Sequence, residues 1–222
     1  MKPLIIANWK MNPKTPAEAE RLFNSVSKGV KNIKKVEVVV CPPFIYLSQL
    51  KKTKYGLLMG AQDCFWEEMG AFTGEIGPIM LKNIGCQYVI VGHSERRKYQ
   101  RETGETINKK VKAVLAAGLK PILCIANLSQ LKKELNGVAK EIIVAYEPLF
   151  AIGTGQPCSV EKARKMRKLI SASQVLYGGS VNPQNAVDYI VKAGFQGLLV
   201  GGISLDAKQF LQTVNGINKA KA

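Results

Sequence analysis

The chain has a single histidine, no Cys-x-x-Cys pair, and no apolar run near the roughly 18 residues that span a bilayer. Each shortage removes a class of function. Without paired cysteines or several histidines, structural zinc, haem attachment and dithiol redox work lose their ligands. The five cysteines, Cys41, Cys64, Cys86, Cys124 and Cys158, are odd in number and widely spaced, as expected for reduced thiols in a cytoplasm. The opening Met1 to Asn8 turns polar too early for a signal peptide, so an unexported, cytoplasmic protein with no membrane partner is expected, and Asn127-Leu128-Ser129 carries no weight as a glycosylation acceptor. Acidic residues are also scarce, 16 against 32 Lys and Arg, for a net charge of +16. The lysines fall in short scattered pairs, Lys34-Lys35, Lys51-Lys52, Lys109-Lys110 and Lys132-Lys133, without the interleaved aromatics of a strand-binding protein. They are expected on solvated helix surfaces rather than on nucleic acid. Their summed field would speed capture of a small anion.

Eight short and almost continuously apolar runs are present: Leu4 to Ala7, Val36 to Val40, Leu57 to Met59, Tyr88 to Val91, Ile122 to Ile125, Ile142 to Ala145, Val175 to Tyr177 and Leu198 to Val200. The polar segments between them carry helix-start signals, such as Thr15-Pro16-Ala17-Glu18, Thr103-Gly104-Glu105 and Ser159-Val160-Glu161. Strands without polar alternation belong to a parallel sheet covered on both faces, and helices between them supply the crossovers. No G-x-G-x-x-G turn follows the first run, where Ala7-Asn8-Trp9-Lys10-Met11-Asn12 stands instead, so an open dinucleotide-binding sheet is disfavoured. Eight units in 222 residues predict a closed eight-stranded parallel (β/α)8 barrel, and the absence of a linker predicts one domain over residues 1–222.

Barrel enzymes carry their chemistry at the carboxyl ends of the strands. His93 follows the fourth run and precedes Ser94-Glu95-Arg96-Arg97, where a helix amino terminus would disfavour imidazolium and leave a neutral, hydrogen-bonding ring. Glu147 follows the sixth, where apolar walls are expected to raise its pKa toward that of a general base. Pro148, the apolar Leu149 to Ile152 and Gly153-Thr154-Gly155 follow it with the pattern of a hinged lid. Asn8 and Lys10 lie two residues apart and would stabilise an oxyanion, while a Schiff base on Lys10, as in an aldolase, is the alternative. Gly178-Gly179-Ser180 and Gly201-Gly202 end the last two strands, where barrels often hold a phosphate on backbone N–H groups. No Walker sequence or acidic metal cluster accompanies them, so a phosphorylated small substrate without nucleotide, metal or cofactor is expected.

These segments, with Gly70-Ala71-Phe72-Thr73-Gly74-Glu75, closely resemble the triosephosphate isomerase family from end to end. The resemblance implies cofactor-independent interconversion of dihydroxyacetone phosphate and glyceraldehyde 3-phosphate through an enediolate, a step of glycolysis and gluconeogenesis. It implies Glu147 as the base, His93 as the electrophile, Lys10 and Asn8 as holders of negative charge and Glu95 as a nearby support. These roles are a familiar example of pKa tuning in this family. Gly153, Ser180, Gly201 and Gly202 would hold the phosphate, Gly153 only once the lid closes.

The family is usually dimeric, with the 70–75 loop reaching into a partner so that Thr73 approaches the site near Asn8 and Lys10; a homodimer is expected and a homotetramer is the alternative. The segments after the fifth and sixth strands are short, as in the compact archaeal form, some of whose members are tetramers, so shortened helices are expected there. Phe150 stands where the family has tryptophan, and Ile125-Ala126-Asn127 replaces Ile-Gly-Glu. Phenylalanine has no indole N–H, so Asn127 need not accept a lid hydrogen bond. Pro157 should stiffen the far hinge. A nucleic-acid binder and a catalytically inert barrel are the remaining readings, ranked below an isomerase.

Overall fold

The computed structural model describes residues 1–50, 56–138 and 142–220. Eight strands, β1 (Leu4–Asn8), β2 (Glu37–Cys41), β3 (Leu58–Ala61), β4 (Tyr88–Val91), β5 (Lys120–Ile125), β6 (Ile143–Tyr146), β7 (Gln174–Tyr177) and β8 (Gly197–Val200), pair in parallel in sequence order. β1 closes the barrel on β8, Leu4 opposite Gly197 and Ala7 opposite Val200. All eight apolar runs are strands. Side chains alternate between two buried sides, which is why the runs show no polar alternation. Leu4, Ile6, Val39, Cys41, Ile90, Ile122, Cys124, Leu176 and Leu199 fill the interior. Their neighbours Ile5, Ala7, Val38, Val40, Val89, Leu123 and Val175 pack outward against the helices.

The helices are α1 (Pro16–Gly29), α2 (Phe44–Leu50), α3 (Pro78–Asn83), α4 (Ser94–Tyr99), α5 (Gly104–Ala116), α6 (Leu128–Glu134), α7 (Val160–Leu169), α8 (Ala186–Val191) and α9 (Ala207–Ala220). The start signals work as written. Thr15 forms a reciprocal capping box with Glu18 ahead of Pro16, and Thr103 and Ser159 cap α5 and α7. Losing one such cap costs about 1 kcal/mol. α6, after β5, has 7 residues against 13 in the preceding α5, and α7 has 10, in line with the expected shortening. No helix among the described residues is long and apolar enough to cross a membrane.

One expectation about the lysines fails. Lys110 is not on a solvated surface: it is buried in α5, where its Nζ meets both Asp63 carboxylate oxygens at 2.9 and 2.7 Å and also Glu102. A cation is tolerated there because carboxylates surround it. Lys51-Lys52 lies outside the described residues. The five cysteines are buried and free.

Candidate active site

Asn8 ends β1, and its Oδ1 accepts the N–H of Lys10 at 3.0 Å, which leaves the Nδ2 side of the amide as donor. Lys10 has φ of +54°, a left-handed conformation costly for a residue with a β-carbon. Its Nζ is 2.5 Å from Glu95 Oε1. A Schiff base needs a free neutral amine, and this one is committed to a carboxylate, so the geometry disfavours the aldolase alternative. The stem of Lys10 runs past Gly201, where an added Cβ would lie 3.3 Å from Lys10 Cε.

His93 precedes α4, and its Nδ1 accepts the N–H of Glu95 at 3.3 Å. That bond puts the ring proton on Nε2, which faces Glu147 Oε1 at 3.3 Å. Burial pushes the imidazole pKa down, but Glu147 and then Glu95 push it up against Lys10, and the outcome is above the ordinary histidine value. The facing carboxylate thus outweighs burial in the direction of the shift, while the bond that Nδ1 accepts from the Glu95 N–H is the one made by a ring unprotonated at Nδ1.

Glu147, just past β6, is buried, and its Oε2 has no hydrogen-bond partner among the described residues. The expected rise in its pKa is reversed. Burial does push the carboxyl up, but His93, Lys10 and the Cys124 thiol pull it below the usual carboxylate range. Position 178 gives it room, since a Cβ there would come within 3.0 Å of Glu147 Cγ and 3.2 Å of Oε1. Gly178 thus serves the carboxylate as well as the turn.

Beyond Glu147, residues Leu149–Ala151 form a short 3-10 turn with Leu149 and Phe150 exposed. Ser180 Oγ donates to Ala151 O at 2.7 Å, and the Tyr177 hydroxyl accepts the Cys158 N–H at 3.0 Å, so the end of β7 and the turn after it hold both bases of this segment. Thr154 Oγ1 donates back to Phe150 O at 3.0 Å. Asn127 is engaged elsewhere, capping α6 through Gln130 N–H at 3.2 Å.

A cavity of about 350 Å³ brings together Asn8, Lys10, His93 and Glu147 on one side and Gly153, Ser180, Gly201 and Gly202 on the other. Eight of the nine residues singled out from the sequence therefore line one space. Glu95 touches Lys10 from behind and lines the adjoining cavity of about 630 Å³ that runs under Leu149 and Ile152. Charge and a proton acceptor stand at one end, and glycine-rich backbone at the other. Such a site can take a proton from carbon, hold negative charge on oxygen and grip an anion. Sequence reasoning missed Gln62, the polar residue directly after β3, whose Nε2 donates to Lys10 O and to Cys41 O, both at 2.8 Å. Its place at a strand end was the available signal.

The family model described as triosephosphate isomerase matches residues 3–217. The triosephosphate isomerase of Thermoanaerobacter sp. (strain X514) is 42% identical over 247 aligned residues, covering 96% of this chain and 99% of the relative. That of Alkaliphilus oremlandii is 44% identical with the same coverage. Among solved structures, triosephosphate isomerase from Bartonella henselae superposes with a TM-score of 0.86 at 30% identity, over 97% of this chain and 99% of that one.

Proposed function

The chain belongs to the triosephosphate isomerase family, and from that premise we propose that it interconverts dihydroxyacetone phosphate and glyceraldehyde 3-phosphate with the residues gathered in the 350 Å³ cavity. The Glu147 carboxylate takes a proton from carbon 1 of the ketone, the C–H electron pair moves toward carbon 2, and the carbonyl π pair settles on its oxygen. The resulting enediolate is held by His93 Nε2–H, the Asn8 amide and the Lys10 ammonium. Glu147 returns the proton to carbon 2, and proton exchange between the two oxygens, relayed by His93, completes the aldehyde. Backbone N–H groups at Gly153, Ser180, Gly201 and Gly202 grip the phosphate, and Glu95 keeps Lys10 directed at the site.

The observation that carries this reading is Glu147: a buried carboxylate with one oxygen lacking a partner among the described residues, on a residue that lines a cavity together with Asn8, Lys10, His93, Gly201 and Gly202. The pKa directions support it too. In the empty site the Glu147 carboxylate shifts the imidazole pKa upward. Once Glu147 has taken the substrate proton its charge is gone, and burial then favours the neutral ring needed as donor.

We assign the protein to the cytoplasm, where its five free thiols stay reduced. Self-association is supported by the 65–75 region. There Phe65 stacks on Trp66 and meets Phe72 in a tilted ring contact, while Met69 and Phe72 remain 83% and 43% exposed beside the exposed Thr73. A homodimer through this loop is the reading favoured over a tetramer, and a concentration-independent monomer mass with full activity would overturn it.

The activity is tested by incubating each triose phosphate with the protein in deuterated water. The parent should wash solvent deuterium into the carbon-bound position while interconverting the two sugars. Glu147→Gln should lower the rate by about 10²- to 10⁴-fold. Binding of both sugars with no hydrogen exchange would refute the assignment.

A further inference from the structure

Lys10 holds a conformation its own backbone opposes, so the surroundings must over-determine it. Three attachments do so: the N–H to Asn8 Oδ1, the ammonium to Glu95, and the carbonyl to Gln62 Nε2. The first two employ groups already placed at the reaction. Gln62 is different. It stands behind the site, and its primary amide spends both hydrogens, one on Lys10 O and one on Cys41 O, each at 2.8 Å. Cys41 ends β2 and Gln62 follows β3, so one side chain ties the carboxyl ends of three neighbouring strands at the point where Lys10 leaves the sheet. A primary amide supplies two donors from one nitrogen without adding charge; a carboxylate would set negative charge against two carbonyl oxygens.

We propose that Gln62 is a positioning residue for the isomerisation: by fixing the Lys10 carbonyl it keeps the left-handed backbone that presents Nζ to the enediolate. This rests on the assignment of Lys10 as the cation that stabilises the intermediate. Electrostatic stabilisation depends on a donor fixed in advance, and a displacement of about 1 Å can cost about 10²-fold in rate. Released from Gln62, Lys10 relaxes toward negative φ and its stem swings away from Gly201.

The test is a double-substitution cycle in kcat/KM with Gln62→Met, which keeps length and removes both donors, and Lys10→Ala. Gln62→Met alone should lower kcat/KM about tenfold or more, whereas in the Lys10→Ala background it should cost less than about twofold, because the group it positions is gone. A loss of equal size in both backgrounds, or no loss in the parent background, overturns the proposal. Full activity in Lys10→Ala would remove the assignment of Lys10 itself, and the proposal with it. Gln62→Glu gives an independent readout should the methionine variant not fold. Its carboxyl can donate only when protonated, so kcat/KM relative to the parent should rise as pH falls through that group's titration. A profile parallel to the parent's overturns the proposal.

Discussion

Glu95 and Arg96 are consecutive residues of α4, yet they serve two clusters of charge with opposite purposes. Glu95 turns to Lys10 and His93 at the mouth of the barrel. Arg96 turns to Asp63 at 2.9 Å and Glu102 at 2.7 Å, the two carboxylates that also hold Lys110. In the second cluster two anions meet two cations directly. Burial is still felt there: it pushes Asp63 up to about 6 against the pull of Lys110 and Arg96, while Glu102 stays below its ordinary value because Lys110 and Arg96 outweigh burial. Each cluster leaves one buried carboxylate oxygen without a partner among the described residues, Glu102 Oε2 and Glu147 Oε2, but only Glu147 lines the 350 Å³ cavity. Charges that close on one another hold the chain together, and a charge left facing a cavity is available for chemistry.

That division breaks most visibly under two substitutions. Lys110→Met leaves Asp63 with Arg96 alone in a buried place and should destabilise the fold by about 3–5 kcal/mol. The molecules that remain folded should keep kcat/KM within about twofold. Glu147→Gln should behave differently, losing turnover with a much smaller loss of stability, because the attraction of His93 and Lys10 for the carboxylate is largely offset by the cost of burying it. Thermal melts and a coupled assay on both variants check this, and loss of stability in the two alike would erase the distinction.

The same contrast marks how far the sequence could be read. The barrel was legible because strands buried on both faces must be apolar throughout, and all eight runs carried that signal. β3 was the least clear, extending past Met59 through Gly60 and Ala61, whose small side chains give little hydropathic contrast. Site residues at strand ends were legible because a parallel barrel carries every such end to one rim. Their electrostatics were not. The fall in Glu147 pKa comes from His93 and Lys10, distant in sequence, and apolar neighbours along the chain pointed the other way. The burial of Lys110 was hidden for the same reason, since a lysine pair on an amphipathic helix reads as solvated until Asp63 is known to face it.

A single histidine makes the next effect easy to isolate. Its imidazole titration, followed by NMR, should have a midpoint above the ordinary value of about 6.5 in the ligand-free parent. In Glu147→Gln the largest upward influence is gone and Glu95 alone opposes burial and Lys10, so the midpoint should fall relative to the parent. Acidic pH protonates the ring in the parent, and the stability this adds is fully present below the unfolded-state pKa and lost as pH rises through the raised folded-state pKa. Glu147 contributes in the opposite sense. Its stabilisation is present above the unfolded-state carboxyl pKa and disappears as pH falls through the depressed folded-state value. An unchanged midpoint in the variant would mean that the His93–Glu147 contact at 3.3 Å does not govern the ring.

The smallest expected effect lies where the chain departs from its family. Asn127 Oδ1 takes the Gln130 N–H and the Ser129 hydroxyl, so the residue is spent on starting the shortened α6. Phe150, 60% exposed, has no N–H to offer it. Ser180 and Tyr177 hold the lid segment from the end of β7 and the turn after it instead. Asn127→Glu alone should cost about 1 kcal/mol by removing the cap, and Phe150→Trp alone should change lid relaxation little. Together they restore an indole donor and a carboxylate acceptor, worth roughly 0.5–1.5 kcal/mol, and the population of open lid should rise severalfold with slower closure. Relaxation measurements on the lid amides decide the matter. A double variant with the parent's populations would show that the two departures are unrelated, and that holding the lid from β7 leaves nothing for position 127 to add.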